Sequence, residues 1–158
     1  MLSAVSSAND PRLAQARTLL LEYADSLDVD LAFQNFEQEL SEFPANYLPP
    51  AGALLLADHD QLLAGSVAMR RLDEHTCEMK RLYVRPDFRG FGIGRILAAA
   101  IIEAAKEAGY CYMRLDTLPG MGDAQRLYGI LGFREIPAYY ENPIAGTRYL
   151  ELDLRSLT

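Results

Sequence analysis

The stretch Arg85-Pro86-Asp87-Phe88-Arg89-Gly90-Phe91-Gly92-Ile93-Gly94-Arg95 sets three glycines at alternate positions among three arginines. What precedes and follows it says what the loop is for. Before it, residues 79 to 84 read as a strand. After it, Ile93, Ile96, Leu97, Ala100, Ile101, Ala104 and Ala108 recur at helical spacing until Gly109 closes the run. A loop entering a helix N-terminus offers unpaired N–H groups and the positive end of the helix dipole, and glycines let an anion reach that backbone with no Cβ in the way. Two glycines in a helix's first turn cost about 1 kcal/mol each relative to alanine, so a plain turn explains them poorly. The expected guest is a phosphate or pyrophosphate.

Working outward, residues 52 to 84 form three apolar runs broken by polar clusters at 58–61 and 73–76, the pattern of an antiparallel meander. Upstream, Asp10-Pro11 signals a helix start, and Leu13, Ala16, Leu20 and Ala24 predict a helix over 11–26. A shorter one carries Phe33, Phe36 and Leu40 and stops before Pro44. Downstream lie a strand in "YCYMRLDT", a short helix from Asp123 whose Ala124, Leu127, Tyr128 and Leu131 share a face, and strands at 133–136 and 148–154. An aromatic loop, "PAYYENPIAGT", joins the last two. Helix, helix, three strands, helix, strand, helix and two strands make a mixed α/β or α+β sheet covered by helices, with residues 1–158 as one domain.

A nucleotide-hydrolysing P-loop needs Lys and then Ser or Thr after its last glycine, where this chain has Arg95 and Ile96. A dinucleotide fold finds an acidic residue, Asp116, at the right distance, but the glycines run G-x-G-x-G and a meander precedes them. Both readings lose to a different phosphate-bearing ligand.

The formal net charge of -7 over 158 residues argues against a nucleic-acid partner. No apolar run reaches membrane-spanning length, and the first residues lack signal-peptide order. A cytoplasmic protein is expected. Cys77 and Cys111, the only cysteines, sit in apolar strand-like runs and read as buried reduced thiols, and no spacing suggests a metal site. His59 and His75 lie in polar turns and read as non-catalytic.

On these residues the chain resembles the GCN5-related N-acetyltransferases. Their pattern of Arg or Gln, two residues, Gly, one residue and Gly or Ala appears as Arg89-Gly90-Phe91-Gly92-Ile93-Gly94, and "AQRLYGILGF" looks like their Leu-Tyr and Gly-Phe segment. The resemblance extends to uncharacterised bacterial members with "KRLYV", "RLDT" and "YYxNP" segments. It implies a mostly antiparallel sheet splayed at a cofactor slot, and acetyl-coenzyme A as co-substrate. The pyrophosphate would lie on Arg89, Gly90, Phe91, Gly92, Ile93, Gly94 and Arg95. Leu82, Tyr83 and Val84 would pair their backbones with the pantetheine arm. Met121 departs from the family's frequent Asn.

The resemblance further implies direct acetyl transfer to the amine of a small molecule. A backbone N–H near Leu82 would meet the thioester oxygen, Tyr128 would act as acid toward the departing thiolate, and Glu78 would act as base. Glu78 lies four residues before Leu82, a whole number of strand periods, so both are expected on one face. A water relay, or an amine deprotonated in solution, competes with Glu78. Asp116 and Thr117 are weaker candidates. Tyr139, Tyr140 and Asn142 are expected substrate contacts, unless their loop only stiffens a sheet edge or a homodimer contact. A non-catalytic coenzyme A sensor on the same fold is the rival of another class.

Overall fold

A computed structural model describes residues 1–27 and 36–156; the part of the second expected helix that carries Phe33 lies outside the described residues. Strands β1 (Leu2–Ala4), β2 (Ala53–His59), β3 (Leu62–Arg71), β4 (Thr76–Val84), β5 (Tyr112–Thr117), β6 (Arg134–Ile136) and β7 (Arg148–Asp153) alternate with helices α1 (Leu13–Ser26), α2 (Phe36–Glu42), α3 (Ile93–Glu107) and α4 (Gly122–Leu131). The expected order holds, with β1 added. Three residues are too few to show a period, and β1 exists because it pairs with β2 from Leu2↔Ala57 to Ala4↔Leu55. Helix α1 starts two residues later than Pro11; the Asp10 carboxylate accepts the Arg12 N–H just ahead of it, at 2.8 Å.

The sheet runs β1-β2-β3-β4-β5-β7-β6, and every neighbour is antiparallel except β4 and β5. That parallel pair registers only at Thr76↔Tyr112, Cys77↔Met113 and Glu78↔Arg114. Beyond Glu78, β4 stays on β3 as far as Gly65↔Val84, and β5 stays on β7 as far as Thr117↔Arg148. The two halves of the sheet therefore part along residues 79–84 and 115–117. This is the expected splay.

A bulge marks the parting. Ser66 pairs with Tyr83 and Ala68 with Lys80, so Val67 stands opposite both Arg81 and Leu82, and Arg81 takes a left-handed φ of 61°. The extra residue shifts the side-chain alternation. Cys77 and Met79, then Leu82 and Val84, pack against the core under α3, with Leu97, Ile101 and Met113 at its centre. Glu78 and Lys80, then Arg81 and Tyr83, turn to the other face, where α1 lays Ala16 and Leu19 on Leu54, Leu56 and Ala68. The expectation that Glu78 and Leu82 share a face is thus corrected: they point to opposite faces because the bulge lies between them. Cys77 is buried as expected and Cys111 is only partly so. Among the described residues no helix is long and apolar enough to cross a membrane.

Candidate active site

The glycine loop joins β4 to α3 through a 3-10 turn at Pro86–Phe88. Gly90 and Gly92 have φ of 91° and 78°, conformations that disfavour a side chain, and Gly92 is the N-cap of α3 rather than a residue inside its first turn. Gly94 is different. It is helical, and a Cβ there would meet nothing nearer than Val84 Cγ2 at 3.7 Å, so the fold itself makes no demand for glycine. The first helical bond runs from the Ile96 N–H to the Gly92 carbonyl, at 3.1 Å. The N–H groups of residues 90 to 95 donate to no described residue. Arg89 is held by its Nε on the Val84 carbonyl at 3.0 Å, and Arg95 is exposed. The result is a cradle of outward N–H donors flanked by two guanidinium groups, the arrangement that suits a pyrophosphate.

A cleft of about 440 Å³ runs from this cradle along Leu82, Tyr83 and Val84 to the start of α4 at Gly120, Met121 and Gly122, with Tyr23 of α1 on its rim. The Tyr83 side chain leaves the cleft for α1, where its hydroxyl donates to Glu22 at 3.3 Å, so this residue offers the cleft its backbone. The cleft continues into a narrow slot of about 50 Å³ between the parted strands. Tyr128, Lys80, Leu82, Asp116 and Thr117 line the slot.

Tyr128 reaches the slot from α4, with its ring packed on Phe133 at 5.6 Å. Among the described residues its hydroxyl has no hydrogen-bond partner. Burial pushes its pKa above the ordinary tyrosine value, so the phenol keeps its proton at neutral pH. Glu78 lies behind the slot rather than on it, 1% exposed. One of its oxygens accepts from Arg70 Nε at 2.8 Å and the other from the Tyr139 hydroxyl at 2.6 Å.

Tyr139, Tyr140 and Asn142 are brought together, but their polar ends turn toward protein carboxylates. Tyr140 and Asn142 both donate to Asp116. The rings of Tyr139, Tyr140 and Tyr149 meet edge to face at 5.4 to 5.6 Å. The aromatic loop therefore folds back as a wall behind the slot.

Two residues that the sequence reading passed over, Arg81 and Lys80, complete the site. Arg81 donates to both oxygens of Glu39 and lies over the Tyr23 ring at 5.8 Å. Lys80, 7% exposed, has its ammonium 3.9 Å from Glu78, and burial followed by the nearby Arg81 charge lowers its pKa. The available signal was "EMKR", charged residues set in a strand that helices cover on both faces. Among the described residues no group of His, Cys, Asp and Glu could hold a metal ion.

Known proteins resemble this chain. The acetyltransferase (GNAT) family profile matches residues 15–133. An uncharacterised N-acetyltransferase of Schizosaccharomyces pombe is 39% identical over 155 residues, which cover 97% of this chain and 94% of that one. The N-acetylaspartate synthetase of Danio rerio is 30% identical over 128 residues, covering 79% of this chain and 42% of its own. A GNAT family acetyltransferase of Elizabethkingia anophelis, solved with acetyl-CoA bound, superposes with a TM-score of 0.68 at 23% identity, over 97% of each chain. The chain belongs to the GNAT family and is an N-acetyltransferase. Its relatives are not confined to bacteria.

Proposed function

We propose that the protein transfers acetyl from acetyl-CoA to the amine of a small molecule by direct attack. The single observation that supports this best is the continuity of the site: a cradle of N–H donors, a cleft along a strand edge, and a slot holding the Tyr128 hydroxyl, none of which has a partner among the described residues. Residues 90 to 95 fit a pyrophosphate, and Gly94 supports that fit because its missing Cβ serves nothing inside the fold. Leu82, Tyr83 and Val84 border the cleft as an added strand would require. The bound thioester supplies the activated acetyl group. The chain supplies the rest.

The N–H of Leu82, in the bulge, is the donor for the carbonyl oxygen as negative charge builds on it. Tyr128 gives its proton to the departing sulfur. Glu78 stands behind the slot with both oxygens engaged, so in this reading it takes the amine's proton through water. Tyr139, Tyr140 and Asn142 shape the acceptor side by holding Glu78 and Asp116 in place. The name of the zebrafish relative, a synthetase of N-acetylaspartate, supports a small-molecule amine.

The test is release of free coenzyme A thiol from acetyl-CoA against a panel of amines, with the acetylated amine identified by mass. Turnover with one amine class is expected. Tight acetyl-CoA binding without turnover of any amine would favour the non-catalytic sensor instead.

A further inference from the structure

Lys80 makes an ion pair that is too long to be a hydrogen bond. Its Nζ lies 3.9 Å from Glu78 Oε1, and among the described residues it donates to nothing. An ammonium carries three N–H donors, and this one, on a largely buried side chain that lines the slot, has no described residue to give them to. Its neighbours differ. Arg70 and Arg81 each meet a carboxylate at 2.8 Å. The carboxylates are likewise engaged: Glu78 by Arg70 and Tyr139, Asp116 by Tyr140 and Asn142. Among the described residues Thr117 Oγ1 is the one fully buried side-chain polar atom without a hydrogen-bond partner. Lys80 and Thr117 line the same slot.

What this slot offers a guest is therefore unused donors, with its acidic groups already satisfied. That is the reverse of a pocket for a cationic head group. We propose that the acceptor carries a carboxylate beside its amine, an α-amino acid or a close relative, and that Lys80 is the specificity-determining residue that binds this carboxylate.

The inference rests on the acetyl-transfer reading. Two further points favour it. At about 50 Å³ the slot has room for a small group such as a carboxylate, since a cavity of about 10–15 Å³ on this measure already holds one water. In an α-amino acid one carbon separates carboxylate from amine, so a carboxylate on Lys80 would leave the amine beside Tyr128, on the same slot. An anion there would also favour the charged form of Lys80, against the effect of its burial.

The test titrates the full chain, saturated with coenzyme A, with a panel of L-amino acids and with the carboxamide of each, for wild type, Lys80→Met and Lys80→Arg. Wild type is expected to bind at least one acid about tenfold or more tightly than its amide, the scale of one charge-assisted hydrogen bond. Lys80→Met should abolish that preference while leaving amide binding and acetyl-CoA binding unchanged, and Lys80→Arg should restore part of it. Acids and amides bound alike by wild type, or a preference that survives in Lys80→Met, would overturn the inference. Thiol release, measured in parallel, reports on the transfer reading separately. Binding that prefers acids without turnover would count against transfer and not against the carboxylate site; turnover of amides as fast as acids would count against the carboxylate site and not against transfer.

Discussion

Arg81 donates to both oxygens of Glu39, at 2.8 and 3.2 Å, tying the bulged residue of β4 to α2. The pair is nearly enclosed, with side-chain exposures of 6% and 14%. Removing one partner from a buried pair costs about 3 to 5 kcal/mol, so Glu39→Ala should lose stability on that scale in urea unfolding. Because Arg81 sits at the bulge, the slot should loosen as well. The Km for the acceptor should rise more than that for acetyl-CoA.

The same pair sets an acid limit. Burial alone would raise the Glu39 pKa, but the hydrogen bond and charge of Arg81, helped by Lys80, outweigh it and leave the value below the ordinary 4.5. A depressed carboxylate stabilises the fold fully above its unfolded pKa. That contribution is lost as pH falls through the lower folded value. Unfolding free energies measured from pH 6 down to pH 3 should therefore fall more steeply for wild type than for Glu39→Ala.

Tyr128→Phe separates chemistry from stability. The hydroxyl has no hydrogen bond to a described residue, so its loss should change Tm by no more than a few degrees. Thiol release should drop about 100-fold or more if this hydroxyl is the acid, with acetyl-CoA affinity unchanged. Unaltered turnover would remove Tyr128 from the mechanism.

The cysteines test direct transfer. Burial pushes the Cys77 thiol up to about 12, and it lies in the core, while Cys111 is partly exposed. Iodoacetamide should label Cys111 and spare Cys77 in the native protein. Labelled enzyme should keep its activity; inactivation that acetyl-CoA prevents would point to a covalent cysteine intermediate.

Much of this was legible in the sequence, because the elements that build the cradle are local. The strand before Arg85, the glycine pattern and the apolar period after Ile93 each leave a mark on neighbouring residues. The bulge left none. Nothing in "EMKRLYV" says that Arg81 takes a left-handed φ, since that conformation is set by pairing with β3 and by Glu39, 42 positions away. Missing it put Glu78 and Leu82 on one face. Tyr139 and Tyr140 were legible as polar-tipped aromatics near the site, but their partners, Glu78 and Asp116, are contacts of tertiary structure that no local spacing encodes. Lys80 was overlooked for the opposite reason: a lysine in a strand ordinarily extends into open water, and only the covered sheet turns this one into the slot.

The measurement that bears most directly on the account is an acetyl-CoA titration of wild type beside Gly94→Asp. Gly94 has a helical backbone and room for a side chain, and an acidic residue in a helix's first turn is favoured by the dipole, so the variant should fold with unchanged or slightly higher Tm. Its carboxylate would stand among the N–H donors assigned to the pyrophosphate. The account requires saturable 1:1 binding by wild type and a loss of affinity of about 100-fold or more in the folded variant, the scale of a like charge placed at a desolvated anion site. Equal affinity in the two proteins would contradict the cradle, and with it the placing of acetyl-CoA in this cleft.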